Sequence, residues 1–255
     1  MKRARTPVAY LSNVDPILAK LIAAAGPYTL RLEASRPPFQ HLARAIAHQQ
    51  LNGTAANTIL TRFVALYPTP TGGQTETPFP SPEQVLGTSD EHIRATGFSF
   101  SKIAALKDLA QHTLNGVVPD FTTLQSLDND EIVTRLTKVR GVGPWTVQMM
   151  LIFQLGRPDV LPVGDFGVCN GFRLAYGLRG MPKPKALAEF GARWAPHRTA
   201  AAWYLWRAVD LHRAGKLPNA PMPAPRIATI KPKPRSSPKT TTTRRRRAGR
   251  ARHAK

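Results

Sequence analysis

A chain of 255 residues is long enough to bury one sizeable core or two modest helical lobes. Its 36 Lys and Arg against 15 Asp and Glu give a formal net charge of +21, which points to a polyanionic partner and says nothing of fold. The single cysteine, Cys169, excludes an internal disulfide and any four-cysteine cluster, and no apolar run approaches a signal-peptide core or the ~18 residues of a spanning helix, so an intracellular protein with no membrane association is expected.

In chain order, residues 1–8 read as a flexible start. "DPILAKLIAAAG" opens on an Asp cap with Pro next and closes on Gly26, which predicts a helix. "PFQHLARAIAHQQ" places Phe39, Leu42, Ala43, Ile46, Ala47 and Gln50 on one helical face, and the pattern resumes after Gly53. "PTPTGGQTETPFP" is a turn-rich loop. "SPEQVLG", with a Ser cap and Pro at the first helical position, "SDEHIRATG" and "SFSKIAALKDLAQHTLNG" read as three further helices.

"DNDEIVTRLTKVR" carries acids in its first turn and bases in its last, matching the helix dipole. "PWTVQMMLIFQLG" is almost wholly apolar and should run through the core. "DFGVCNGFRLAYGL", "KALAEFGARW" and "HRTAAAWYLWRAVDLHRAG" supply the last helices. From residue 218 to 255, Pro, Thr, Lys and Arg replace large apolar residues, which predicts a disordered basic tail. The expected fold is all-α, with two helical subdomains in a body spanning 9–217.

Two stretches carry chemistry. In "VRGVGPWT" a Gly-x-Gly turn joins two helices, a helix-hairpin-helix pattern over residues 129–155. Gly141 and Gly143 lack side chains, and the N–H groups of the turn and of the next helix's first residues, Thr146 among them, have no intrahelical partner and sit at the positive dipole end. Such a turn either is plain punctuation or grips a phosphate without reading sequence. In "DVLPVGDFGV", a loop over 158–166, Pro162 and Gly164 break the chain and Asp165 starts a helix. Asp165 is then an N-cap, and the N–H groups it caps also aim its carboxylate.

Helix, "VRGVGPWT", apolar helix, "LPVGD", helix, in this order, resembles the helix-hairpin-helix (HhH-GPD) DNA glycosylase superfamily. "GVGPWTVQMMLIF", "PVGDFGV", "AIAHQQLNGTAA" and "RATGFSFSKIAALKDLA" are most similar to its 3-methyladenine DNA glycosylase II branch, over about residues 9 to 215. The resemblance implies a monofunctional glycosylase of base excision repair. Such an enzyme flips an alkylated purine out of double-stranded DNA and hydrolyses its N-glycosidic bond, acting as a monomer on DNA in the cytoplasm or nucleoid.

By the same resemblance Asp165 is the catalytic carboxylate, and Trp145, Trp206 and Met149 line the base pocket, where indole faces attract a cationic base. Strand-nicking relatives carry a Lys where this chain has Trp145. Leu51 aligns with the wedge that fills the hole left by the flipped nucleotide, and Gln50 touches the opposite strand. The backbone carbonyls of Thr137, Val139 and Val142 match those holding a structural Na or K ion; no catalytic metal, cofactor or iron–sulfur cluster is expected. Trp203 and Tyr204 read as core, and the tail as a non-specific DNA tether. Two alternatives stay open: a non-catalytic helix-hairpin-helix DNA-binding protein, and a glycosylase for oxidised or mismatched bases.

Overall fold

A computed structural model describes residues 6–33, 36–67, 79–219 and 226–230. Among these, the chain forms α1 (Pro7–Val14), α2 (Pro16–Ala25), α3 (Pro38–His48), α4 (Gly53–Val64), α5 (Pro82–Gly87), α6 (Asp90–Ala95) and α7 (Phe100–Leu114). There follow α8 (Phe121–Ser126), α9 (Asn129–Leu136), α10 (Pro144–Phe153), α11 (Phe166–Ala175), α12 (Pro184–Gly191), a 3-10 turn (Ala192–Trp194) and α13 (Arg198–Arg213). No described helix is long and apolar enough to cross a membrane.

Side-chain caps define most of these starts. Asp15, Asn52, Ser89, Ser99, Asp120, Asp128 and Asp165 each accept a backbone N–H from the turn they open. Ser81 and Gln84 close a full capping box on α5. Three details depart from the sequence-based expectation. The flexible start over 1–8 gives way at Pro7, because Thr6 caps α1 through the Ala9 N–H. α8 is unanticipated, a six-residue helix capped by Asp120. Gln50 does not share the α3 face, because α3 ends at His48 and Gln50 turns left-handed at φ 57°.

The helices bury two cores. One gathers Phe39, Leu42 and Ile46 of α3, Phe63 of α4, Ile103 and Leu106 of α7, and Val147, Met150 and Ile152 of α10. The other joins the first helices to the last: Leu11, Leu18 and Leu21 of α1 and α2 pack with Phe172 of α11, Tyr176 just after it, Leu187 of α12, Trp194 of the 3-10 turn and Leu205 of α13. Trp206 and Leu30 touch both cores and mark the seam. Trp203 and Tyr204 are buried in the second core.

Asp15 ties that second lobe together. It is 2% exposed and accepts the Ile17 and Leu18 N–H groups on one oxygen, the Tyr176 hydroxyl at 2.7 Å and the Trp194 indole at 3.0 Å on the other. Four donors on one buried carboxylate replace the water it has lost. Burial and the adjacent Asp15 charge push the Tyr176 phenol well above its ordinary range.

Part of the expected tail is laid against the body. The Lys183 N–H donates to the Ala228 carbonyl at 2.9 Å and the Ile230 N–H to Met181 at 2.7 Å, around an antiparallel bridge between Pro182 and Thr229. Gly180 makes room for this strand, since a Cβ there would lie 2.6 Å from the Ile230 carbonyl oxygen, and Ile227 packs on the second core. Residues 220–225 and 231–255, and 68–78 where the sequence predicts a turn-rich loop, lie outside the described residues.

Candidate active site

The loop before α11 is stitched to the start of α13. Asp159 receives Nε and Nη2 of Arg198 at 2.6 and 2.8 Å, and this paired guanidinium draws the Asp159 carboxyl below its usual range. Thr199 donates its hydroxyl to Arg157 O at 2.6 Å and accepts the Val160 N–H at 3.0 Å. The loop therefore reaches Asp165 along a fixed path.

Asp165 then caps α11, taking the Val168 N–H on Oδ1 at 2.7 Å. Two indoles complete its surroundings: Trp206 donates to Oδ1 at 2.8 Å and Trp145 to Oδ2 at 2.8 Å. Asp165 forms no ion pair among the described residues, so three neutral N–H groups aim a carboxylate whose charge no cation cancels.

Trp206 reaches this oxygen because α11 and α13 are in backbone contact. A Cβ at Gly171 would lie 1.9 Å from the Leu205 carbonyl oxygen. At Gly167 it would lie 2.7 Å from Trp206 Cδ1 and 3.1 Å from Asp165 Oδ1. Neither glycine figures among the site residues read from sequence. The available signal is their spacing of four on a helix, where each glycine weakens the helix by ~1 kcal/mol relative to alanine and so points to a close approach.

Trp145, Thr146, Met149 and Phe153 of α10 form one wall of an open cleft of ≈620 Å³. Gln49 and Gln50 lie around it with Glu33, Arg36, His41, Arg44 and His48, and these last five form a polar side that motif reading passes over. Burial lowers the His41 imidazole from its usual range, partly opposed by Glu33 at 3.7 Å. Trp206 stacks on Phe153 at 5.7 Å and so backs this wall. No lysine among the described residues lines the cleft. Cys169, one turn beyond Asp165, donates its thiol to Val163 O, and burial and the Asp165 charge push it up, away from thiolate chemistry.

The hairpin turn runs from Thr137, at the end of α9, to Gly143. Gly141 sits at φ 78°, where a side chain would be strained and would meet Ala105 at 3.3 Å. Gly143 differs: its φ of −97° suits any residue and a Cβ there would meet nothing within 4 Å. The fold does not demand that glycine, whereas an external backbone seated on the turn would. Gly143 caps α10 without a side-chain bond and Pro144 follows, so the Trp145 and Thr146 N–H groups open the helix uncapped. Thr146 is buried, with its edge against the cleft. The Val139 carbonyl accepts the Val142 N–H at 3.0 Å within the turn.

Leu51 is 41% exposed, beside left-handed Gln50 and at the same edge of the molecule as the hairpin, since Gln49 Nε2 donates to the Gly141 carbonyl at 2.7 Å. Trp145 is 48% exposed. The exposed Leu51, the uncapped start of α10 and the cleft, whose lining includes Trp145 but neither Asp165 nor Trp206, thus come from separate parts of the chain, with Asp165 tied to the cleft through the Trp145 indole.

The family model for HhH-GPD superfamily base excision DNA repair proteins matches residues 43–197. The chain is 39% identical over 203 residues to DNA-3-methyladenine glycosylase 1 of Schizosaccharomyces pombe, across 79% of this chain and 86% of that one. It is 32% identical over 207 residues to the alkylbase DNA glycosidase-like protein mag2 of the same yeast, across 81% and 94%. The S. pombe 3-methyladenine DNA glycosylase solved with abasic DNA superposes with a TM-score of 0.68 at 37% identity, covering 79% of this chain and 95% of that one. A DNA-3-methyladenine glycosidase from Bacillus halodurans superposes with a TM-score of 0.70 at 33% identity, over 83% and 92%. With the family match spanning more than half of its length, this chain belongs to the HhH-GPD superfamily of base excision DNA repair proteins.

Proposed function

We propose that the protein is a monofunctional DNA N-glycosylase that hydrolyses the N-glycosidic bond of purines alkylated on a ring nitrogen, 3-methyladenine among them. The observation that carries this is the Asp165 carboxylate, fixed by the Trp145 and Trp206 indoles where the cleft wall meets the hairpin. Relatives named as 3-methyladenine glycosylases at up to 39% identity support the same substrate class.

The backbone N–H groups of Gly143, Trp145 and Thr146 bind a phosphate of the lesion strand, and the +21 charge holds the duplex. The damaged nucleotide turns out of the stack, Leu51 fills the gap, and Gln50 lies toward the opposite strand. The base enters the cleft between Met149 and the tryptophans. Its positive charge makes it a ready leaving group, so it departs with the electrons of the C1′–N bond and becomes neutral. Asp165 stabilises the sugar cation left behind, water adds its oxygen at C1′, and the released proton passes to Asp165 or solvent.

No step needs a cofactor or a catalytic metal. The carbonyls of Thr137, Val139 and Val142 form an all-oxygen donor set suited to a hard monovalent cation that would brace the hairpin. The enzyme acts as a monomer on double-stranded DNA containing alkylated bases. A non-catalytic DNA-binding module would need the hairpin but not two indoles on one aspartate.

Incubation with methylated DNA and identification of the released bases tests the activity, with Asp165→Asn as control. The expected result is release of alkylpurines that falls ~10²–10³-fold in the variant, the usual cost of removing an electrostatic stabiliser. Release at an unchanged rate would overturn the assignment of Asp165, and no release by the unaltered protein would overturn the enzyme reading.

A further inference from the structure

The turn that carries Leu51 is held in an unfavourable shape. Gln50 is the only non-glycine residue at positive φ among the described residues, a conformation that persists only where the surroundings impose it. Directly before it, α3 ends with carbonyls that have no intrahelical partner, at the negative end of the helix dipole. Lys102, in the first turn of α7, donates Nζ to two carbonyls there, Ala47 at 2.8 Å and Gln49 at 2.7 Å. It forms no ion pair among the described residues, and burial lowers its pKa.

The same helix holds the hairpin. Asp108 Oδ2 accepts the Arg140 N–H at 2.7 Å, and Ala105 packs against the space above Gly141. Lys102 and Asp108 are six residues apart, about 9 Å along the helix axis. One rigid element thus spaces the wedge turn from the phosphate-gripping turn, and the Gln49–Gly141 bond closes the ring between them.

We infer that Lys102 is a positioning residue for base extrusion: its ammonium holds the Gln50–Leu51 turn in the strained form that lets Leu51 enter the duplex at a set distance from the phosphate bound by the hairpin. This rests on the reading of Leu51 as the wedge. Without the ammonium, the Ala47 and Gln49 carbonyls lose their donor, Gln50 relaxes toward negative φ, and Leu51 leaves its path. The chemistry at Asp165 involves neither turn, so the loss falls on extrusion and not on bond cleavage.

The test is single-turnover excision of one methylated purine from two DNAs, a fully paired duplex and one in which the lesion sits unpaired in a bulge. Lys102→Met should slow excision from the paired duplex by ~10–10²-fold, the scale of an ångström-level misplacement, and excision from the bulge by less than ~3-fold. Leu51→Ala should give the same split, and the double variant should be no slower than the slower single one, because both act on one step. Lys102→Arg, which keeps a donor within reach, should restore most of the duplex rate. A Lys102→Met rate unchanged on both DNAs, or reduced equally on both, overturns the inference. If Lys102→Met fails to fold, Lys102→Gln is read in the same way. A missing split in Leu51→Ala overturns instead the wedge reading, whatever Lys102 does.

Discussion

Trp145 donates its indole N–H to Oδ2 of Asp165 over 2.8 Å, while Trp206 holds the other oxygen. Each oxygen of the carboxylate is thus held by a separate indole. Trp145 lines the cleft and Trp206 stands behind it on Phe153, and their ring nitrogens together fix the direction of the charge.

Trp145→Phe keeps an aromatic ring in the cleft and deletes the donor. A hydrogen bond to a charged group contributes about 1.5–3 kcal/mol, so single-turnover excision should slow ~10–10²-fold with DNA affinity little changed. Excision at the original rate would mean that the ring alone matters at this position.

Gly167→Ala sets two effects against each other. Alanine favours the helix by about 1 kcal/mol, whereas a Cβ 2.7 Å from Trp206 Cδ1 overpacks the seam by about 1–3 kcal/mol. The melting temperature should therefore move by only a few degrees. Trp206 has to leave Asp165 and Phe153 to accommodate the methyl group, so excision should fall at least ~10-fold, the loss of one charge-assisted hydrogen bond. Tryptophan fluorescence reports the displacement independently of activity.

The product should be an intact strand with an abasic site. No lysine among the described residues lines the cleft, and the buried Cys169 thiol is raised away from reactivity. Borohydride added during turnover should trap no covalent protein–DNA adduct; a trapped adduct would identify a nucleophile outside the constellation described above.

Two truncations separate the docked strand from the basic extension. Residues 231–255 hold eleven Lys and Arg and no acid, so a chain ending at 230 loses more than half of the +21. Every phosphate that is no longer neutralised reduces the steepness of log affinity against log salt by ~0.9, so this chain should bind undamaged DNA with a shallower salt dependence and keep its excision rate. Ending the chain at 225 also removes the strand on Met181–Lys183 and the packing of Ile227, and should lower the melting temperature as well. Equal salt slopes for the full chain and the chain ending at 230 would show that the extension does not touch DNA.

Most of the helices, the hairpin and the aspartate are legible in the sequence, because each is written locally, although α8 and the start of α1 escape that reading. Caps such as Ser81, Asp128 and Asp165 precede the turns they close, and Gly141 supplies a left-handed residue within one turn. The rest lies between distant segments: the Trp145–Asp165–Trp206 bonds, the close approach of Gly167 and Gly171 to α13, and the Lys102 grip on α3. These join residues from 20 to 55 positions apart, beyond the reach of any periodicity or cap signal. Gln50 shows the physical reason most plainly. Its side-chain pattern continues the α3 face, yet an ammonium from another helix holds the carbonyls beside it and the backbone turns left-handed, an outcome that depends on packing and not on the local run of residues.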